Sequence, residues 1–334
     1  MLISRTPYRI SLAGGGTDFP EWFKRFPSAV VSGTINKYSY ITCRPLNKFF
    51  DHNYRIVYSL VENVLDIEDI KHPAVREVIK FLEYKNGLEI HHDGDLPART
   101  GLGSSSAFTV GLLQLVLKIQ NKEISKKQLA KLAIKLEREF LNENVGMQDQ
   151  IACAYGGVNK FTFKYVQDLP EFDVSPISIS KERLELFQSQ IKLIYTGKQR
   201  FSSQVSEKLI YKLINASRIT EKIQLRNVEM AHETVSILEQ SNDFLEMSEI
   251  FEESWVNKKQ LNSDSITREL QEIKDFGMQN GASGTKVLGA GGGGFLAFWV
   301  TENNREKFLN AFKDYVIVDI IFESEGSKIV YEQS

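Results

Sequence analysis

Three glycine-rich segments constrain this chain more than any other feature: Ala13-Gly14-Gly15-Gly16-Thr17-Asp18, Gly101-Leu102-Gly103-Ser104-Ser105-Ser106-Ala107 and Gly289-Ala290-Gly291-Gly292-Gly293-Gly294. Glycine loses more backbone freedom on folding than any other residue, so such clusters mark unusual dihedrals or close backbone approach. The middle segment follows a period-2 run and Pro97 and leads into an apolar helical stretch, Ala107 to Ile119. A loop of this kind can wrap N–H groups around phosphate oxygens, with the positive end of the helix dipole behind them. A serine-capped strand-to-helix turn would use the same residues.

Common nucleotide motifs do not fit. The middle segment lacks the Gly-Lys-Ser/Thr ending of a Walker loop, and Ser106 stands where a dinucleotide fingerprint has its third glycine. The last segment spells G-x-G-x-x-G, yet an apolar strand pattern follows it, Phe295 to Val300, where the dinucleotide motif needs a helix. Asp275-Phe276-Gly277 imitates a protein-kinase signature, but no His-Arg-Asp catalytic loop exists.

The 334 residues suffice for two hydrophobic cores. With 41 basic and 43 acidic side chains the net charge is −2, too small to steer the chain to nucleic acid or an anionic membrane, so a small molecule is the expected partner. Arginines interrupt the N-terminal apolar stretch and no run reaches the roughly 18 apolar residues of a membrane span, so a cytoplasmic protein is expected. Cys43 and Cys153 make no metal-type pair and read as reduced core residues. His91 and His92 alternate on a strand, and His52, His72 and His232 are scattered, so no histidine metal site is expected.

Period-2 patterns predict strands at Leu2 to Leu12, Thr34 to Cys43, Tyr54 to Leu60, Leu88 to Asp93 and Val158 to Phe163. Val75, Val78, Ile79 and Leu82 recur at helical spacing, and Ser125 with Gln128 forms a capping box before a helix carrying Leu129 to Phe140. The proline-bearing stretch Gln167 to Pro176 reads as a connection, followed by a strand at Gln190 to Thr196. Long helical patterns cover Ser203 to Glu239, Asp243 to Leu261 and Ser265 to Gln279, and strands are predicted at Phe295 to Val300, Tyr315 to Phe322 and Lys328 to Tyr331. The expectation is an α+β chain of two domains, 1–180 and 181–334.

Thr6-Pro7-Tyr8-Arg9-Ile10-Ser11-Leu12 with GGGTD, Leu96-Pro97-Ala98-Arg99-Thr100 with GLGSSSA, and Lys286-Val287-Leu288 with GAGGGGF occur in this order over nearly the whole chain. Together they resemble the three motifs of the GHMP kinases, and GGGTD with Gly146-Met147-Gln148-Asp149-Gln150 is most similar to the family's heptose 7-phosphate kinase branch. The resemblance implies a ribosomal S5 domain 2-like N-terminal domain, a ferredoxin-like C-terminal domain, and ATP- and Mg2+-dependent phosphorylation of the anomeric hydroxyl of a sugar phosphate. A free-sugar kinase for fucose or galactose and a non-catalytic ligand sensor are the alternatives. Oligomeric state is not legible.

By the same resemblance Asp149 matches the catalytic base and Arg9 the cation that faces it. Pro97, Gly101, Leu102, Gly103, Ser104, Ser105 and Ser106 match the nucleotide phosphate loop. Ser105 and Glu137 match the Mg2+ ligands, with Glu139 a close competitor for Glu137. Gly15, Gly16, Thr17 and Asp18 match the sugar-binding turn, where galactokinases have Gly-Glu-His-Thr-Asp. The two glycines that replace Glu and His remove bulk and charge that would repel a substrate phosphate. Lys37, Arg200 and Lys286 are candidate cations for that phosphate, and Gly291 and Gly292 are further candidates for substrate contact.

Overall fold

In a computed structural model the first strand, β1 (Leu2–Ala13), alternates buried and half-buried residues at its start and is buried throughout from Thr6 onward. That change marks where helices cover both of its faces. The structure describes residues 1–98, 100–198 and 202–333. After a short helix, α1 (Pro20–Phe23), the long strand β2 (Ala29–Pro45) returns antiparallel to β1. The strands β3 (Tyr54–Val57) and β4 (Val61–Val64), the helix α2 (Pro73–Phe81) and β5 (Leu88–Gly94) follow. Next come α3 (Ser104–Ile119), α4 (Lys126–Lys135), α5 (Gln148–Tyr155), β6 (Val158–Val166) and β7 (Leu169–Pro176).

The second half runs α6 (Lys181–Ser189), β8 (Ile191–Tyr195), α7 (Ser202–Ile214), α8 (Arg218–Gln240), α9 (Glu246–Leu261) and α10 (Arg268–Gln279). It ends with β9 (Gly284–Val287), β10 (Phe295–Trp299), α11 (Glu302–Ala311), β11 (Ile317–Val318) and β12 (Lys328–Glu332).

Among the described residues eight strands form one sheet, in the order β12-β1-β2-β5-β3-β4 with β6 and β7 branching from the first part of β2. Four form another, β11-β8-β10-β9. Every pairing is antiparallel except β3 with β5. The last strand, β12, leaves the second half of the chain and pairs with β1 on the edge of the first sheet. One core joins the halves, with Phe187, Leu193 and Trp299 in the same apolar cluster as Tyr8, Ile10 and Ile35.

Four sequence expectations need correction. Gln167 to Pro176 is no connection: Gln167 and Asp168 adopt positive φ of 50° and 59°, and this tight turn folds β7 back on β6. The single helix from Ser203 to Glu239 is two, because Ser217 takes an extended conformation and caps α8 through Thr220 N. The strand expected over Tyr315 to Phe322 is confined to Ile317–Val318, apart from an isolated bridge between Ile35 and Phe322. The period-2 run on β2 is broken at Asn36 and Lys37, where the register to β1 shifts between Pro7 and Tyr8.

Candidate functional site

β1 carries Arg9 into the middle of the molecule, where its side chain is 4% exposed. Its guanidinium grips Asp149, on the first turn of α5, through both carboxylate oxygens, Nε to Oδ1 at 2.8 Å and Nη2 to Oδ2 at 2.5 Å. Nη1 donates to Gly101 O at 2.7 Å, so one side chain ties the strand, the glycine loop and α5 together. A planar fork with five donors suits this better than a lysine would. The carboxylate has about four acceptor positions, so two remain for a ligand hydroxyl.

Asp18 sits beside this pair, with 1% exposure. Its carboxylate accepts from Gly16 N at 3.1 Å and Gln148 N at 3.2 Å, and its carbonyl accepts from Met147 N at 3.1 Å. Burial, then the nearby Asp149, pushes its carboxyl above the ordinary range. Gly146 is required for the approach, since a Cβ there would lie 1.9 Å from Asp18 Oδ2. On the other side of the turn a Cβ on Gly15 would meet only Ser11 Oγ, at 3.6 Å, which leaves open space above it. Thr17 faces inward and donates to Gly14 O and Ala29 O, at 2.8 and 3.1 Å, so it shapes the turn instead of lining the cleft.

The other two glycine segments pack backbone to backbone. A Cβ on Gly289 would stand 2.4 Å from Gly101 Cα, and one on Gly101 would stand 2.5 Å from Leu288 O. Both have positive φ, 64° and 84°. Gly103 at the start of α3 also has positive φ and offers no side chain to cap the helix. The helix N-terminus therefore opens toward the cleft with Ser104 and Ser105 on its rim.

Ser106 turns the other way. Its hydroxyl donates to Glu137 Oε2 at 3.0 Å, and Gln150 Nε2 donates to the same oxygen at 2.5 Å. Glu137 is the second residue of a π-helical turn, Leu136–Phe140, that continues α4. Burial, then Glu143, raises its carboxyl to about 8. The other oxygen, Oε1, is buried with no partner among the described residues. Glu139 is exposed, so of the two carboxylates only Glu137 faces the interior.

Arg9, Asp149, Asp18, Gly101, Gly103, Ser104 and Ser105 border a cleft of about 1160 Å3 between the two halves, whereas Ser106 and Glu137 are not part of its lining. Tyr58, His72, His92 and Phe108 line one end, with His72 and His92 packed on the Phe108 ring at 4.8 Å each. Burial, then His92, lowers His72 to about 4, so its imidazole is neutral. Helices α8 and α9 wall the other end. Gln224 donates to Gly16 O at 2.9 Å, Asn227 donates to Gln224, and Asn257 donates to Asn227, a polar chain from the sugar-side turn to α9. Lys258 and Lys286 also line the cleft. The sequence reading missed Lys258, His72, Gln224 and Asn227. Lys258 continues the inward face of Phe251, Ser254 and Leu261, and a lysine on such a face was the available signal.

The remaining sequence candidates scatter. Gly291 lines the cleft, whereas Gly292 binds Ser265 O through its N–H at 2.8 Å and faces away. Pro97 accepts from Thr100 Oγ1 at 3.0 Å, and Leu102 is buried with its carbonyl held by Arg9 N at 2.9 Å. Lys37 lies in the β2 bulge and is not part of the cleft lining. Arg200 lies outside the described residues.

A cleft between two α+β halves, with a glycine loop at a helix N-terminus beside a buried arginine–aspartate pair, defines the class of small-molecule phosphotransferases. The family described as GHMP kinases N terminal domain matches residues 70–157, and GHMP kinases C terminal matches residues 234–318. The chain belongs to the GHMP kinases and is a sugar or sugar-phosphate kinase. It is 27% identical to a D-glycero-alpha-D-manno-heptose 7-phosphate kinase of Campylobacter jejuni over 97% of each chain. A bifunctional fucokinase/GDP-fucose pyrophosphorylase of Arabidopsis thaliana is 24% identical over 91% of this chain and 30% of that one. A crystal structure of a D-glycero-D-manno-heptose 1-phosphate kinase from Bacteriodes thetaiotaomicron shares the fold at a TM-score of 0.78 and 24% identity, covering all of both chains.

Proposed function

We propose that this chain transfers the γ-phosphoryl group of ATP to the anomeric hydroxyl of D-glycero-D-manno-heptose 7-phosphate, giving the 1,7-bisphosphate. The observation that carries the reading is the bidentate Arg9–Asp149 pair placed between the glycine loop and the open turn at Gly15. The Campylobacter relative's activity supports the choice of acceptor.

The aromatic end of the cleft suits a nucleobase, and the loop from Gly101 to Ser105 directs the polyphosphate toward Arg9. Asp18 accepts hydrogen bonds from sugar hydroxyls and orients the ring. Asp149 takes the proton of the attacking hydroxyl, whose oxygen bonds to the γ-phosphorus as the bond to the bridging oxygen breaks and ADP leaves. Arg9 holds Asp149 in place and lends positive charge to the equatorial oxygens as negative charge spreads over them. The residues fit Mg2+: Glu137 Oε1 is a buried oxygen without a partner, and a cation would supply one. Glu137 and Ser105 would hold it, and it would neutralise charge on the phosphates.

Phosphorus NMR on the protein with ATP, Mg2+ and either heptose 7-phosphate, fucose or galactose tests the reading. An anomeric phosphate signal on heptose 7-phosphate alone is expected. The fucokinase relative makes fucose the second acceptor to try, and turnover of fucose with none of heptose 7-phosphate would overturn the assignment.

A further inference from the structure

Lys286 is the one inward-facing lysine of β9, 8% exposed, and it lines the cleft. Among the described residues it has no carboxylate or carbonyl within hydrogen-bonding distance, an arrangement that costs free energy unless a ligand supplies the missing charge. Lys258 faces the same space from α9 and, among the described residues, donates to Gly289 O, a neutral acceptor. The charged groups that face the two lysines are Arg9, from β1, and Asp18, from the turn that follows it. Three of the five Arg9 donors, and most of its charge, are already engaged by Asp149 and Gly101. Two cations without a carboxylate of their own, on two elements of the C-terminal half, make a site for an anion.

Two phosphoryl groups could claim it, the one transferred from ATP and the one the acceptor carries. The pair lines the cleft together with Asn227 and Ser254, and Asn227 is tied through Gln224 to Gly16 O in the sugar-side turn. We infer that Lys258 and Lys286 bind the phosphate that the acceptor brings with it, and thereby select a phosphorylated sugar over a plain one. This rests on the reading of the cleft as that of a sugar-phosphate kinase. Burial holds both ammonium groups below the ordinary lysine range, with Arg9 lowering Lys258 and the Lys258 charge lowering Lys286, so an incoming dianion would also draw protons to them.

The test uses Lys258→Met and Lys286→Met, chosen because methionine keeps the length of the stem. Calorimetric titration with inorganic phosphate should show at least about tenfold weaker binding in each variant. The KM for heptose 7-phosphate should rise by about the same factor while kcat/KM for the unphosphorylated heptose and the KM for ATP stay within about twofold. Lys286→Met should also melt at a higher temperature than the parent, because a largely desolvated charge without a counter-charge is gone; a lysine with a merely structural role would give a lower one. Unchanged phosphate affinity would overturn the proposal. So would equal losses on both acceptors, which would assign the pair to the transferred group. If the parent turned over neither heptose, the proposed function would fail, and the phosphate titration would still decide on the lysines.

Discussion

In the proposed reaction Asp149 takes the proton of the attacking hydroxyl. Replacing it with Asn keeps the shape and removes the charge and the base, so kcat should fall by roughly 100- to 10,000-fold while ATP binding persists. Single-turnover rates beside calorimetric ATP titration would check this; a loss below about tenfold would remove Asp149 from the proton transfer. Lys286 makes a second prediction, in the pH dependence of stability. Its ammonium is lowered to about 7 by burial, then by Lys258 and Arg9, from an ordinary value of 10.5. A depressed value means the unfolded chain binds the extra proton between those limits, so this group's contribution rises with pH from about 7 to 10.5 and is lost as pH falls through 7. Urea denaturation should therefore find Lys286→Met more stable than the parent near pH 7, with the gap narrowing toward pH 10; a gap that is flat with pH would contradict this. The sequence shows Arg9, Asp149 and Asp18 by their motifs, whereas Lys258 is hidden in an ordinary Lys-Lys pair at a helix end.

At the scale of elements, the glycine segments are explained by contact. Gly101 has a φ of 84°, and its missing Cβ lets Leu288 O come within van der Waals reach, so Gly101→Ala should pry the two loops apart. The expected result is a lower melting temperature and about a tenfold or greater loss of ATP affinity; a variant that binds ATP like the parent would show that the loops need not touch. The strong signals in the sequence marked their elements well: the capping box of Ser125 and Gln128 is present, and the apolar run after GLGSSS is a helix. The weak ones failed where local chemistry was unusual. Gln167 and Asp168 form a tight turn without glycine, and Asn36 with Lys37 bulges out of a period-2 strand. The π-helical turn that brings Glu137 inward has no periodicity to announce it, and this is why Glu137 and Glu139 could not be separated by spacing.

Over the whole molecule, the site exists because the chain crosses between its halves. Ser327, at the entry to β12, exchanges hydrogen bonds with Thr6 at 2.7 Å and Gln114 at 2.7 Å, fastening the last segment onto the strand that carries Arg9. The polar chain from Gly16 through Gln224 and Asn227 to Asn257 fixes the opposite wall. None of these long-range contacts leaves a local pattern: the expected boundary near residue 180 rests on a proline-bearing stretch that is in fact β7, and the pairing of β12 with β1 had to be seen. The open floor at Gly15 is a property of this whole arrangement, and Gly15→Glu should reduce kcat/KM for a phosphorylated acceptor far more than for a plain one; equal effects on the two would contradict the role given to the glycines. The most direct measurement is the ratio of kcat/KM for heptose 7-phosphate to that for the unphosphorylated heptose in the parent protein. The account predicts a ratio of about 100 or more, set by the two lysines and the bare turn. A ratio near one would mean that the cleft does not recognise the acceptor's phosphate.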